Sequence, residues 1–97
     1  MRTPTSRSLH GRRAPEIATT LTDTTLGAAI RARRASLGLR QETVASRSGV
    51  DHNVLSRIER GVRPCRMTEF VAIAGALNTN PDALLKTAFG KGTEAAA

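Results

Sequence analysis

Five polar side chains recur at helical spacing within nine residues: His52, Asn53, Ser56, Arg57 and Arg60. At about 100° per residue they fall within roughly 140° of one another on a helical wheel. Val54, Leu55 and Ile58 take the opposite side. An imidazole, an amide, a hydroxyl and two guanidiniums, with no acid among them, are equipped to bond nucleic-acid base edges and phosphate oxygens. A solvated surface helix would show the same polar–apolar split. The missing carboxylate is what distinguishes this face.

Other chemistries find few residues to use. The only histidines are His10 and His52, and the one cysteine, Cys65, excludes an internal disulfide framework and CxxC-type zinc sites. No Ser/His/acid or Cys/His set is in prospect, and no glycine-rich phosphate loop occurs. Cys65 reads as an inert loop thiol. The chain is therefore expected to be no enzyme and to need no metal or cofactor.

The polar face needs elements to hold it. Gly49 suits a left-handed turn before Asp51, and Asp51 is a good N-cap for a helix running to Arg60 and ended by Gly61. A short helix over Gln41–Ser48 precedes that turn, with Val44 and Ala45 inward. Upstream, Leu26, Ala29, Ile30, Arg33 and Leu37 share one face of a first helix, from Thr25 to a stop at Gly38. Downstream, Phe70, Val71, Ile73, Ala74 and Leu77 give the stripe of a fourth helix over 67–77. Asn80-Pro81-Asp82 opens a fifth that reaches about Lys86 or Ala88. The reading is all-α, a compact set of five short helices over residues 25–89.

The flanks differ. Residues 1–24 contain Pro4, Pro15 and few large apolar groups, so they read as a flexible basic arm carrying Arg2, Arg7, Arg12 and Arg13. Such arms can follow a phosphate backbone or enter a minor groove. Residues 90–97 read as a disordered tail, whose small apolar end would suit a degradation signal. The longest apolar run, Val71 to Leu77, is far too short to span a membrane, and the basic N-terminus lacks the apolar core of a secretory signal. A soluble cytoplasmic protein is expected.

Across all 97 residues, 15 Lys+Arg against 8 Asp+Glu leave a net charge of +7. Thirteen of the cations are arginine. A pI near 11.5 makes nucleic acid the first partner to consider.

The stretch from Gln41 to Arg60 places a small residue, Ala45, where two helices would cross, with Val44, Val50, Leu55 and Ile58 as apolar locks. LGAAIRARRASLGLRQETVASRSGVDHNVLSRIERG, residues 26–61, resembles the Cro/C1-type helix-turn-helix family of phage repressors and bacterial regulators. VAIAGALNTNPDALL, residues 71–85, is similar to that family's fourth and fifth helices. The resemblance implies a lambda-repressor-like fold that binds a double-stranded DNA operator, and it assigns roles. His52, Asn53 and Arg57 would read base edges in the major groove, and Ser56 would serve a base or a phosphate. Gln41 would grip a phosphate, with Arg40, Arg60, Arg63 and Arg66 as further backbone contacts and Arg31 as an additional candidate. Arg34 and Glu59 would form a structural ion pair.

The sequence departs from the family pattern in two places. Arg40 stands where a Ser or Thr cap is usual, and Cys65-Arg66 replaces a Pro-Ser pair, with the proline at Pro64. The resemblance favours a phage-type immunity or Cro-like repressor. It would bind as a homodimer, or as one formed only on DNA, with Leu85 and Phe89 as apolar contacts and half-sites roughly 34 Å apart. An antitoxin that neutralises a protein toxin, and a restriction-modification controller, remain alternatives.

Overall fold

A computed structural model of the chain describes the backbone of residues 21–96 and the side chains of residues 21–90. The arm arginines Arg2, Arg7, Arg12 and Arg13 lie outside the described residues. The described residues form five helices and no strand: α1 (Asp23–Ser36), α2 (Gln41–Ser48), α3 (His52–Glu59), α4 (Met67–Ala76) and α5 (Pro81–Ala96).

Helix α1 starts two residues before the expected Thr25, and so takes in the end of segment 1–24. The cause is a reciprocal cap. The Thr25 N–H donates to the Thr22 hydroxyl at 3.0 Å, and the Thr22 N–H donates to the Thr25 hydroxyl at 2.9 Å. Asp23 in the first turn adds a favourable charge at the positive helix end. At the other terminus, Asn80 Oδ1 accepts from the Ala83 N–H at 2.8 Å and starts α5 as the Asn-Pro-Asp signal predicts. That helix does not end at Lys86–Ala88. It continues to Ala96, through the segment 90–97 read as a tail. No proline interrupts it, and Glu94, Ala95 and Ala96 favour helix enough to follow Gly90 and Gly92.

Every helix contributes to one core. Ile30 of α1, Val44 of α2, Leu55 and Ile58 of α3, and Ile73 and Leu77 at α4 are fully buried, and Phe70 and Leu84 join them. Two expected core positions face outward. Val71 is 50% exposed, because Phe70, Ile73, Ala74 and Leu77 already complete the i, i+3, i+4, i+7 stripe. Leu37 lies beyond the last turn of α1 as its C-cap and is also exposed.

Helix α1 packs on α3 and α5, while α2 packs on α3 and α4. The α1–α3 contact is close enough to require Gly27. A methyl group there would collide with the Ile58 and Glu59 carbonyls. Gly49 takes φ +76° in the α2–α3 turn, where only glycine is at ease.

Candidate nucleic-acid interface

Helix α3 is set by its cap and its buried side. Asp51 accepts from the Asn53 N–H at 2.9 Å and the Val54 N–H at 3.4 Å, which fixes where the helix begins. Leu55 and Ile58 then anchor one side in the core, so His52, Asn53 and Arg57 are exposed together on the other. Ser56 is half-buried. Arg60 follows at the C-cap, exposed, with its Nε 3.4 Å from the Ser56 carbonyl. These five residues make one face without a carboxylate, exposed except at Ser56.

Behind that face runs a chain of polar contacts. Arg34 donates to Glu59 through Nε at 2.8 Å and Nη2 at 2.9 Å, and its Nη1 donates to the Leu39 carbonyl at 2.8 Å. The Glu59 hydrogen bonds hold the guanidinium above its ordinary pKa, against the effect of burial. Glu59 is only 4% exposed, so the pair joins α1 to the end of α3 as an internal tie. Gln41 Nε2 donates to Glu59 Oε1 at 3.0 Å, and Gln41 Oε1 lies 3.1 Å from His52 Nε2. Gln41 is therefore engaged on two sides, with its second amide hydrogen left over. Arg34, Arg40, Gln41, Glu42 and His52 line a shallow hollow at the start of α2.

The cations separate into two groups. Arg40 caps α2 with no side-chain bond and makes only an exposed 3.8 Å contact with Glu42. Arg66 is exposed at the start of α4, and Arg31 is exposed on α1. Arg63, expected at the phosphate backbone, is turned inward. Its Nη1 donates to Glu69 Oε1 at 2.8 Å and to the Pro64 carbonyl at 2.8 Å, and Nη2 donates to Glu69 Oε2 at 3.1 Å. Glu69 also accepts from the Arg66 N–H at 2.9 Å, so one carboxylate caps α4 and binds Arg63. The Arg63 hydrogen bonds hold the Glu69 carboxyl below its usual range, with the Arg66 N–H adding to the effect. The same contact raises the Arg63 pKa. The Pro64 carbonyl and the Glu69 carboxylate together hold Arg63 in this inward position.

Three contacts escaped sequence reasoning. The Gln41–His52 link crosses the turn between two helices, and Arg63–Glu69 spans a loop with no helical spacing. Arg33 donates to the Leu77 and Asn78 carbonyls at 3.0 Å each and so closes the C-terminus of α4. Only the Glu at the third position of α4 offered a signal, as half of a capping box. Among the described residues no cluster of His, Cys, Asp or Glu could hold a metal ion, and no helix is long and apolar enough to cross a membrane.

Residues 25–87 match a family model described as a helix-turn-helix domain. No curated relative matches the chain. Among solved structures, the chain is similar to the restriction-modification controller protein C.AhdI from Aeromonas hydrophila. The identity is 34% and the TM-score 0.62, over 64% of this chain and 94% of that one. It is also similar to the clp gene regulator ClgR from Corynebacterium glutamicum, at 30% identity and TM-score 0.70, over 76% and 79% of the two chains. The controller protein C.Esp1396I shares the fold at 22% identity and TM-score 0.67, over 71% and 91%. With the family model covering the five-helix unit from α1 into α5, the chain belongs to the helix-turn-helix domain family and is a DNA-binding transcriptional regulator.

Proposed function

We propose that the chain recognises a specific double-stranded operator by inserting α3 into the major groove, and that it acts there as a repressor. The observation that carries this reading is the exposed, acid-free face of His52, Asn53 and Arg57, with Ser56 at its edge. Arg57 has the fork that suits guanine O6 and N7, and Asn53 the amide that suits adenine N6 and N7. Arg40, Arg60, Arg66 and the free amide hydrogen of Gln41 supply sequence-independent phosphate contacts, with Arg31 as an outlying one. The arm arginines Arg2, Arg7, Arg12 and Arg13 would add a second grip.

A homodimer on a two-fold operator fits this role. Leu21, Leu26, Cys65, Met67, Phe70 and Leu85 line an apolar groove to which α3 contributes nothing. Met67 on its rim is 68% exposed. That face is available to a second copy, with half-buried Leu85 as one contact and Phe89 as a second candidate on the same helix. An antitoxin would use such a face for its toxin instead. The similarity to C.AhdI across nearly all of that chain favours the controller reading over a phage immunity repressor.

Selection from random duplex DNA tests the proposal, with the free and bound species sized by chromatography. An enriched motif of two inverted half-sites supports it. A pool with no enriched motif at low and moderate salt overturns it.

A further inference from the structure

The polar chain behind α3 has a consequence for what His52 can read. Glu59, held in a two-point contact with Arg34, is a carboxylate that only accepts hydrogen bonds. The Gln41 amide must therefore turn its NH2 toward Glu59, as the 3.0 Å contact requires. Its carbonyl oxygen is then directed at His52 Nε2, 3.1 Å away. A carbonyl oxygen has no proton to give, so Nε2 must carry one. In the neutral ring the other nitrogen, Nδ1, is then a bare acceptor. Among the described residues no protein group bonds to Nδ1, and the His52 side chain is exposed on the DNA-facing side of α3.

We propose that the Arg34–Glu59–Gln41 chain sets the hydrogen-bond polarity of His52, making it an acceptor that selects a base with an exocyclic amino group. In the major groove only cytosine, through N4, and adenine, through N6, present such a donor. Guanine and thymine offer acceptors at the same edge and leave Nδ1 unpaired. Gln41 is accordingly a positioning residue that specifies sequence without touching a base. The inference rests on the major-groove reading proposed above and refines it at one base position.

Two measurements test it. In the free protein at alkaline pH, long-range nitrogen–proton NMR of His52 should show the Nε2–H tautomer, and an Nδ1–H tautomer overturns the proposal. Selection from random duplexes should then show one position where cytosine or adenine is preferred by roughly tenfold. His52→Ala should flatten that position alone. Gln41→Lys places an ammonium that donates both to Glu59 and to Nε2, so it should reverse the tautomer and move the preference away from cytosine, toward bases with an acceptor at that edge such as guanine or thymine. A position governed by His52 that prefers guanine or thymine in the unaltered protein overturns the inference, as does a motif indifferent to both substitutions. A pool without any motif instead overturns the major-groove reading itself.

Discussion

Arg63 and Glu69 face each other in a two-point ion pair, with nitrogen–oxygen distances of 2.8 and 3.1 Å, at the point where the chain enters α4. The pair removes one arginine from the cations available to DNA and turns it into a clamp on the 62–66 loop. Because the folded state holds the Glu69 carboxyl below its unfolded pKa, its stabilising effect is complete above the ordinary carboxylate value of about 4.3. It is lost as the pH falls through the lowered folded value. Thermal unfolding followed from about pH 6 to pH 2 should show a steeper acid loss in the unaltered protein than in Glu69→Gln. Parallel curves would mean that the clamp contributes nothing.

Much of the scaffold was legible because its requirements are local. Gly49 is needed for a positive φ, Asp51 for two N–H donors, and Ala45, Val44, Leu55 and Ile58 for a close helix crossing. Each constraint acts within a few residues and leaves a mark at fixed spacing. Val71 was misassigned because the apolar run around it conceals which four positions form the stripe. The fate of individual arginines was harder to read. Arg57 and Arg63 are the same residue type in the sequence, and what separates them is whether a carboxylate from another turn comes within 3 Å. That distance depends on the path of the loop between α3 and α4, for which no periodicity exists.

Arg34 and Glu59 should prove costly to separate. Arg34→Met leaves Glu59 buried without its guanidinium, and Glu59→Gln leaves the partly buried guanidinium without its carboxylate. Either change is expected to destabilise the fold by about 3–5 kcal/mol in denaturant titration. Arg34→Lys keeps the charge and forfeits the fork, so its loss should be intermediate. Values below about 1 kcal/mol for all three would show that the tie is dispensable.

Two helical glycines should respond in opposite directions to the same methyl group. At Gly27 the added Cβ meets the Ile58 and Glu59 carbonyls, which are backbone atoms of α3 and cannot rotate away. Gly27→Ala is expected to cost about 1–3 kcal/mol. At Gly75, exposed on α4, nothing lies within 4 Å of the new carbon. Gly75→Ala should stabilise by about 0.5–1 kcal/mol through the lower entropy of the unfolded chain. Calorimetric melting of the two variants side by side reads both signs.

Cys65 should be slow to react with thiol reagents. Burial pushes its pKa up to about 11, so almost none of it is thiolate at neutral pH. Its labelling by a disulfide reagent at pH 7 should lag that of a free thiol by about two orders of magnitude and accelerate on unfolding. Fast labelling of the folded protein would overturn the reading of Cys65 as an inert thiol.

Arg57 in α3 and Arg60 at its C-cap are three residues apart, yet they should fail differently. In the proposed docking Arg57, on the exposed face of α3, would contact a base, and its loss should remove information. Arg57→Ala is expected to relax the selected motif at one position by about 1–3 kcal/mol while leaving the others intact. In the same docking Arg60, the C-cap of α3, would meet the sugar–phosphate backbone. Arg60→Ala should weaken all duplexes alike and lower the slope of log affinity against log salt by about 1. The inward-turned Arg63 supplies the control, since Arg63→Ala should leave the salt slope unchanged at temperatures where the fold persists. If Arg63→Ala lowers the slope and Arg60→Ala does not, the division of cations between clamp and phosphate backbone must be reversed.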